Sequence, residues 1–103
     1  MVKNQKIDVR WKYQRIMRDM QNVLKGISSN YRQKLVYNLL NAVKGNNQKE
    51  FFWTVLRALN ARSDKPDVAK LSEEIGKMYP LSSSEFEKLA YSIILGIMSA
   101  GGE

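Results

Sequence analysis

Cationic and aromatic residues share one side of the first predicted helix. At about 100° per residue, a sector of about 80° opposite the apolar positions holds Trp11, Arg15, Arg18, Asn22 and Lys25. Such a face suits single-stranded nucleic acid, because cations contact phosphates and an aromatic plane stacks on a base. The alternative is that Trp11 fills space between helices with arginine stems packed over it.

Two further predicted helices repeat this combination. The polar side of the second helix carries Lys34, Tyr37, Asn41 and Lys44. In the third helix Trp53 precedes Arg57 by one turn, away from the apolar stripe, with packing between helices as its alternative role. The predicted nucleic-acid-binding residues come from the first two helices: Arg10, Trp11, Lys12, Arg15, Arg18, Lys25, Lys34 and Lys44.

Few residues in the chain are suited to catalysis. The absence of His and Cys excludes imidazole and thiolate metal sites, disulfide bonds, and nucleophiles of the Cys or Ser/His kind. The nearest carboxylate pairs are Glu73 with Glu74 and Glu85 with Glu87, and residues one or two apart on a helix point in different directions. No nucleotide-binding or zinc motif is present. We expect no enzymatic activity, no metal and no cofactor.

The charge is divided unevenly along the chain. Its 103 residues include 17 Lys and Arg against 10 Asp and Glu, a net charge of +7. Residues 1–49 hold eleven basic and two acidic residues, whereas residues 50–103 hold six basic and eight acidic ones. This division favours a polyanion on one side and a protein neighbour on the other, the alternative being a surface that is merely solvated.

Apolar residues recur at helical spacing through almost the whole chain. We predict a first helix over about residues 7–26 and a second that is capped by Asn30 and ends at a left-handed Gly45. Asn47 and Glu50 form a capping box that opens a third helix. The short connection between the second and third helices makes them antiparallel neighbours.

Two more helices complete the prediction. A fourth runs over about residues 66–78 before Pro80, after a polar connector at residues 62–66 that we expect to be mobile. A fifth begins at one of two overlapping Ser-x-x-Glu boxes and ends at Gly101 and Gly102. It is apolar nearly all round, which predicts a central core helix or, alternatively, a groove for a partner. The chain should form one all-α domain over residues 1–103, a compact bundle of about five helices.

The compartment is predicted from what the sequence lacks. Residues 1–25 contain no apolar segment of the kind a signal peptide needs, and no Cys is present. The longest apolar run, residues 89–100, is shorter than the roughly 20 residues that span a bilayer. We expect a cytoplasmic protein without a membrane partner.

Two stretches resemble a known family. YNLLNAVKGNNQKEFFWTVLRALNA at residues 37–61 and FEKLAYSIILGIMSAG at residues 86–101 cover about 40% of the chain. They resemble the small helical subunit of class 1 CRISPR effector complexes, and also the helical C-terminal part of the large subunit of type I complexes. The resemblance implies a non-catalytic, all-helical subunit in antiviral defence that supports the guide–target duplex and the displaced DNA strand. The implied partners are guide RNA, target DNA, other subunits of the complex and further copies of the chain.

Three functions follow from these patterns. The leading one is a nucleic-acid-binding subunit of a ribonucleoprotein that reads no sequence. The second is a helical protein-interaction adaptor without nucleic-acid contact, in which the basic half only solubilises the chain. A helix-turn-helix transcription factor is the third, and the short connection at Gly45 and Asn46 argues against it.

Overall fold

Five helices make up most of the chain. The computed structural model describes the backbone of residues 2–62, 64–65 and 67–100, and the side chains of those residues from Tyr13 onwards. Within these ranges every regular element is an α-helix: α1 (Val2–Val23), α2 (Ser29–Lys44), α3 (Gln48–Asn60), α4 (Val68–Gly76) and α5 (Ser83–Ser99). This confirms the predicted all-α bundle of about five helices.

The boundaries of α1 and α2 differ from the prediction. α1 begins earlier than residue 7 and ends at Val23, and the following turn contains Gly26 at a φ of 91°, which glycine adopts without strain. The cap of α2 is Ser28 and not Asn30, because the Ser28 side chain accepts a hydrogen bond from the Tyr31 N–H at 3.3 Å. Both residue types are good caps, and the one nearer the end of α1 is used.

The turn between α2 and α3 places its left-handed residue one position later than predicted. Gly45 has a φ of −83°, and Asn46 has a φ of 53°. Asparagine tolerates this region, and the turn allows the Asn47 N–H to donate to the Ala42 carbonyl at 2.8 Å. The predicted cap of α3 is confirmed, since Asn47 Oδ1 accepts from the Glu50 N–H at 3.2 Å.

The last two helices follow the predicted order with shorter limits. α4 ends at Gly76, well before Pro80. Of the two Ser-x-x-Glu boxes, the first opens α5, because the Ser82 hydroxyl accepts from the Glu85 N–H at 3.3 Å. α5 ends at Ser99, and the predicted terminators Gly101 and Gly102 lie outside the described residues.

The core is organised around α5, as the central-helix prediction expected. α5 packs against α1 and α2, and α3 packs against α2 and α4. Phe51 of α3 meets Phe86 of α5 edge to face, with ring centroids 5.3 Å apart. One flank of α5 lies so close to α1 that a Cβ atom added at Gly96 would be 2.5 Å from the Met17 carbonyl oxygen.

The apolar residues of α5 exceed what the core can cover. Its buried side chains include Phe86, Leu89, Ile93 and Ile97. A second set stays exposed along the outer side of the helix; we call it the α5 strip, and it consists of Tyr91, Leu95 and Met98. Met98 is the most exposed of the three, with 58% of its surface accessible.

The connector after α3 is anchored at its first residue. The Arg62 side chain donates to the carbonyl oxygens of Val23 at 3.3 Å and Lys25 at 3.2 Å. The Val23 carbonyl is the last of α1 and the Lys25 carbonyl lies in the turn that follows, where helical donors are lacking. Arg62 therefore ties the start of the predicted mobile loop to α1, while Ser63 and Pro66 lie outside the described residues.

Candidate nucleic-acid interface

The structure describes the predicted cationic face of the first helix from Arg15 onwards. Arg10, Trp11 and Lys12 lie in the α1 backbone, but their side chains lie outside the described residues. Arg18 and Lys25 are exposed, as predicted for a face that meets solvent.

Arg15 corrects the prediction of an uninterrupted outward face. Its guanidinium forms an ion pair with the Glu74 carboxylate of α4 and is only partly exposed. α4 packs alongside α1 here, so that Asp67, Lys70 and Glu74 line a cleft together with Arg15 and Asp19. The helical period gives the side of α1 on which Arg15 lies, but not the helix that covers that side.

The cleft beside α4 is mixed in charge. Partial burial raises the pKa of Asp19, Glu74 and Asp67 raise it further, and Arg15 and Arg18 oppose the rise. The ionised form of Asp19 is therefore less stable in the folded chain than in water. A polyanion meets acidic groups here, which makes this end of α1 a poorer phosphate site than its sequence suggests.

The two predicted lysines of α2 lie in different surroundings. Both Lys34 and Lys44 are exposed. Lys34 lines a cleft between α2 and α3 of about 770 Å³, which we call the polar groove. Its other polar side chains include Asn38, Asn41, Glu50, Thr54 and Arg57. Lys44 is in the last turn of α2 and does not line this groove.

A row of residues on α3 is the most distinctive arrangement of cations and aromatic rings among the described side chains. Lys49, Trp53 and Arg57 recur every four residues on the outer face of α3, and all three are exposed. We call them the α3 row. Trp53 is 60% exposed, so packing between helices does not account for it. The sequence marked Trp53 and Arg57 as lying off the apolar stripe, but neither joined the predicted binding set.

A second cleft lies on the other side of the α3 row. It has a volume of about 510 Å³, and its aromatic and aliphatic lining consists of Phe52, Trp53, Leu56 and Tyr79. We call it the aromatic groove. Lys49 and Glu50 lie along it, and Glu50 also lines the polar groove. The α3 row thus separates a polar cleft from an apolar one.

Two hydrogen bonds fix the segment that carries Tyr79. The Gln48 side chain donates from Nε2 to the Leu81 carbonyl at 2.7 Å and accepts at Oε1 from the Leu81 N–H at 2.6 Å. The chain between α4 and α5 is thereby held against the first turn of α3. Spacing along the sequence gives no sign of this contact, since the two residues are 33 positions apart.

The polar and charged side chains that the structure describes lie at or near the surface. None of the polar or charged residues among them is buried. In residues 13–62, 64–65 and 67–100, no group of three or more Asp, Glu, His or Cys side chains is placed to hold a metal ion. None of the helices in the described part of the chain is both long and apolar enough to cross a bilayer.

No known protein family, curated protein or solved structure matches this chain.

Proposed function

We propose that this chain is a non-catalytic, cytoplasmic subunit that binds single-stranded nucleic acid without reading its sequence. The observation that carries the proposal is the α3 row, in which an exposed indole lies between two exposed cations. At a rise of about 1.5 Å per residue, Lys49 and Arg57 are about 12 Å apart along the helix axis with Trp53 midway. Cations in this arrangement contact phosphates while the ring stacks on a base.

The polar groove supports the same function. Lys34 and Arg57 supply positive charge from opposite walls, and the amides of Asn38 and Asn41 add hydrogen-bonding groups between them. Phosphate and sugar contacts of this kind hold a strand without distinguishing bases. The groove thus extends the α3 row into a surface that several nucleotides can follow.

The resemblance to the small subunit of class 1 CRISPR effector complexes gives this proposal its specific form. The similar stretch at residues 37–61 includes the whole α3 row. In such a guide-RNA complex, we propose, the chain contacts guide RNA, target DNA or its displaced strand, beside other subunits and further copies of itself. Its task there is to support the guide–target duplex and the displaced strand in antiviral defence.

The test is the salt dependence of binding by the full chain to a fluorescent 15-nucleotide (dT) strand and to mixed-sequence strands of equal length. If five or six cations contact phosphate, the affinity for each strand falls by ~10²-fold or more between 50 and 200 mM salt. The double variant Lys49→Ala/Arg57→Ala should weaken binding to all strands equally and reduce the slope of log K against log salt by about 1.4.

A matched control removes the same charge from the last two helices. Lys70→Ala/Lys88→Ala replaces two exposed lysines of α4 and α5, and it should leave the slope close to that of the parent. An affinity that does not respond to salt would contradict the proposal, as would equal effects of the two double variants.

The α5 strip favours a second candidate function, the protein-interaction adaptor. Tyr91, Leu95 and Met98 form an apolar row at helical spacing that the core leaves uncovered. Under the nucleic-acid proposal the isolated chain is monomeric or weakly self-associating. Sedimentation that finds a tight two-fold dimer, abolished by Leu95→Gln, would favour the adaptor instead.

A further inference from the structure

We infer that the aromatic groove accepts one unstacked nucleobase, so that the chain prefers single strands to duplex; this inference rests on the proposed function. The groove has a volume of about 510 Å³, within the range of roughly 300–1,000 Å³ that small-molecule sites occupy. Trp53 and Tyr79 line it with exposed rings, 60% and 43% accessible respectively. Leu56 and the largely buried Phe52 complete its apolar surface.

The aromatic groove is formed before any ligand arrives. Phe52 holds Tyr79 by an edge-to-face contact, with ring centroids 5.4 Å apart and planes at 71°. Phe52 is itself stacked on Phe86 of the core at 6.5 Å. The two hydrogen bonds of Gln48 hold the chain at Leu81, two residues beyond Tyr79. A flat ligand therefore meets a Tyr79 ring that needs little ordering, which lowers the entropic cost of binding.

The charges beside the groove identify the flat ligand as part of a polyanion. Lys49 lies along the groove and Arg57 follows Trp53 by one turn, so cations flank the indole on both sides. The Glu50 carboxylate at the groove can accept a hydrogen bond from an N–H group of a base, such as the imino group of thymine, but repels a phosphate. A nucleotide whose base enters the groove, and whose neighbouring phosphates contact Lys49 and Arg57, fits both the two cations and the Glu50 carboxylate.

The same geometry excludes a duplex from the groove. Bases within a duplex are stacked and paired, and removing one from the stack costs a few kcal/mol. In a single strand that cost is smaller, so the aromatic groove adds affinity only for the single strand. Phosphate contacts along the polar groove carry no comparable preference.

The experiment separates ring stacking from charge with two probes of equal length and equal phosphate number. One is a 15-nucleotide (dT) strand, and the other is its abasic analogue, which has the same sugar–phosphate backbone without bases. Trp53→Leu keeps an apolar, helix-forming side chain but removes the ring, Trp53→Phe keeps a ring, and Tyr91→Leu is the matched control at an exposed aromatic of α5.

We expect Trp53→Leu to weaken binding of the (dT) strand by about 5- to 150-fold while leaving binding of the abasic strand and the salt slope unchanged. Trp53→Phe should recover most of the loss, and Tyr91→Leu should have no effect. In a Trp11→Phe background, the remaining indole fluorescence should be quenched by the (dT) strand and not by the abasic one.

Three results would overturn the inference, and they are distinguishable. Salt-dependent binding of both probes that Trp53→Leu leaves unchanged refutes the base site while the proposed function stands. The same holds if Trp53→Leu weakens both probes equally, because the ring would then act through the backbone of the strand or through folding. If the parent chain binds neither probe at 50 mM salt, the proposed function fails and the base site fails with it.

Discussion

The hydroxyl of Tyr13 in α1 donates a hydrogen bond to the Glu85 carboxylate in the first turn of α5. The two residues are 72 positions apart, and their contact joins the helix that begins the bundle to the helix at its centre. Partial burial, the hydrogen bond and the charge of Glu85, in that order, raise the pKa of Tyr13 from 10.0 to about 12.

This pKa shift predicts a loss of stability in alkali. The folded chain holds the neutral phenol more favourably than the unfolded chain does, so the contribution is complete below pH 10.0 and is lost as the pH rises to about 12. Tyr13→Phe should cost about 1 kcal/mol at pH 7. Denaturant unfolding at several pH values should show this difference shrinking above pH 10; a difference independent of pH would contradict the prediction.

The raised pKa of Asp19 predicts an effect at neutral pH. Since the pKa is raised above its unfolded value by burial and by the neighbouring acids, the ionised form destabilises the folded chain. Asp19→Asn should therefore raise the Tm at pH 7, and the gain should vanish as the pH falls through the raised pKa of Asp19 towards its ordinary value of 3.8. Glu87→Gln, at an exposed acid of α5, serves as the control and should leave the Tm unchanged.

The close approach of α5 to α1 predicts opposite effects for two glycine substitutions. In Gly96→Ala the new methyl group would lie 2.5 Å from the Met17 carbonyl oxygen and 3.1 Å from Met20 Cβ. Backbone cannot move aside cheaply, so we expect a loss of ~1–3 kcal/mol. Gly76→Ala meets no atom within 4 Å and should gain up to ~1 kcal/mol from helix propensity. Equal melting temperatures for the two variants would contradict this prediction, because they would show that α1 and α5 can move apart at little cost in stability.

The two hydrogen bonds between Gln48 and Leu81 predict a local effect on the aromatic groove. Gln48→Leu removes both bonds and leaves the Leu81 backbone groups without this partner, at a cost of about 1–3 kcal/mol. Hydrogen exchange should then speed up at Leu81 and in the neighbouring chain that carries Tyr79. Gln33→Leu, at an exposed glutamine of α2, is the control. Faster exchange spread evenly over the whole chain would contradict the prediction, because the two hydrogen bonds would then support only the global stability.

The ion pair of Arg15 separates two arginines that the sequence treats alike. Arg15→Ala breaks the pair with Glu74, and because both side chains are partly exposed the cost in stability should not exceed ~1 kcal/mol. Arg18→Ala should cost less than Arg15→Ala, since Arg18 is exposed and only opposes the rise in the pKa of Asp19. If this part of α1 contacts phosphate, Arg18→Ala lowers the salt slope of single-strand binding, whereas an unchanged slope would place Arg18 outside the interface.

Local signals in the sequence were sufficient for the order of the helices and for the caps that open α3 and α5. Caps depend on residues three positions apart, so the pairs Asn47–Glu50 and Ser82–Glu85 could be predicted. Where two neighbouring residues could cap equally well, as with Ser28 and Asn30, or could adopt a left-handed turn, as with Gly45 and Asn46, the local signal did not decide between them.

The candidate site was less accessible to prediction, because it depends on contacts between distant segments. The helical period showed that Trp53 lies off the apolar stripe, but not that Tyr79 completes a groove beside it. It likewise placed Arg15 opposite the core without indicating that α4 lies there. Both outcomes depend on how α4 and the chain after it return to the first three helices.

The α5 strip also determines how the chain responds to oxidants. Met98 is 58% exposed, whereas Met20 is fully buried, and accessible thioethers are converted to sulfoxides first. A sulfoxide at Met98 places a polar, chiral group at the C-terminal end of the α5 strip while the core packing stays intact. Mild peroxide should therefore make the α5 strip more polar before it affects the fold.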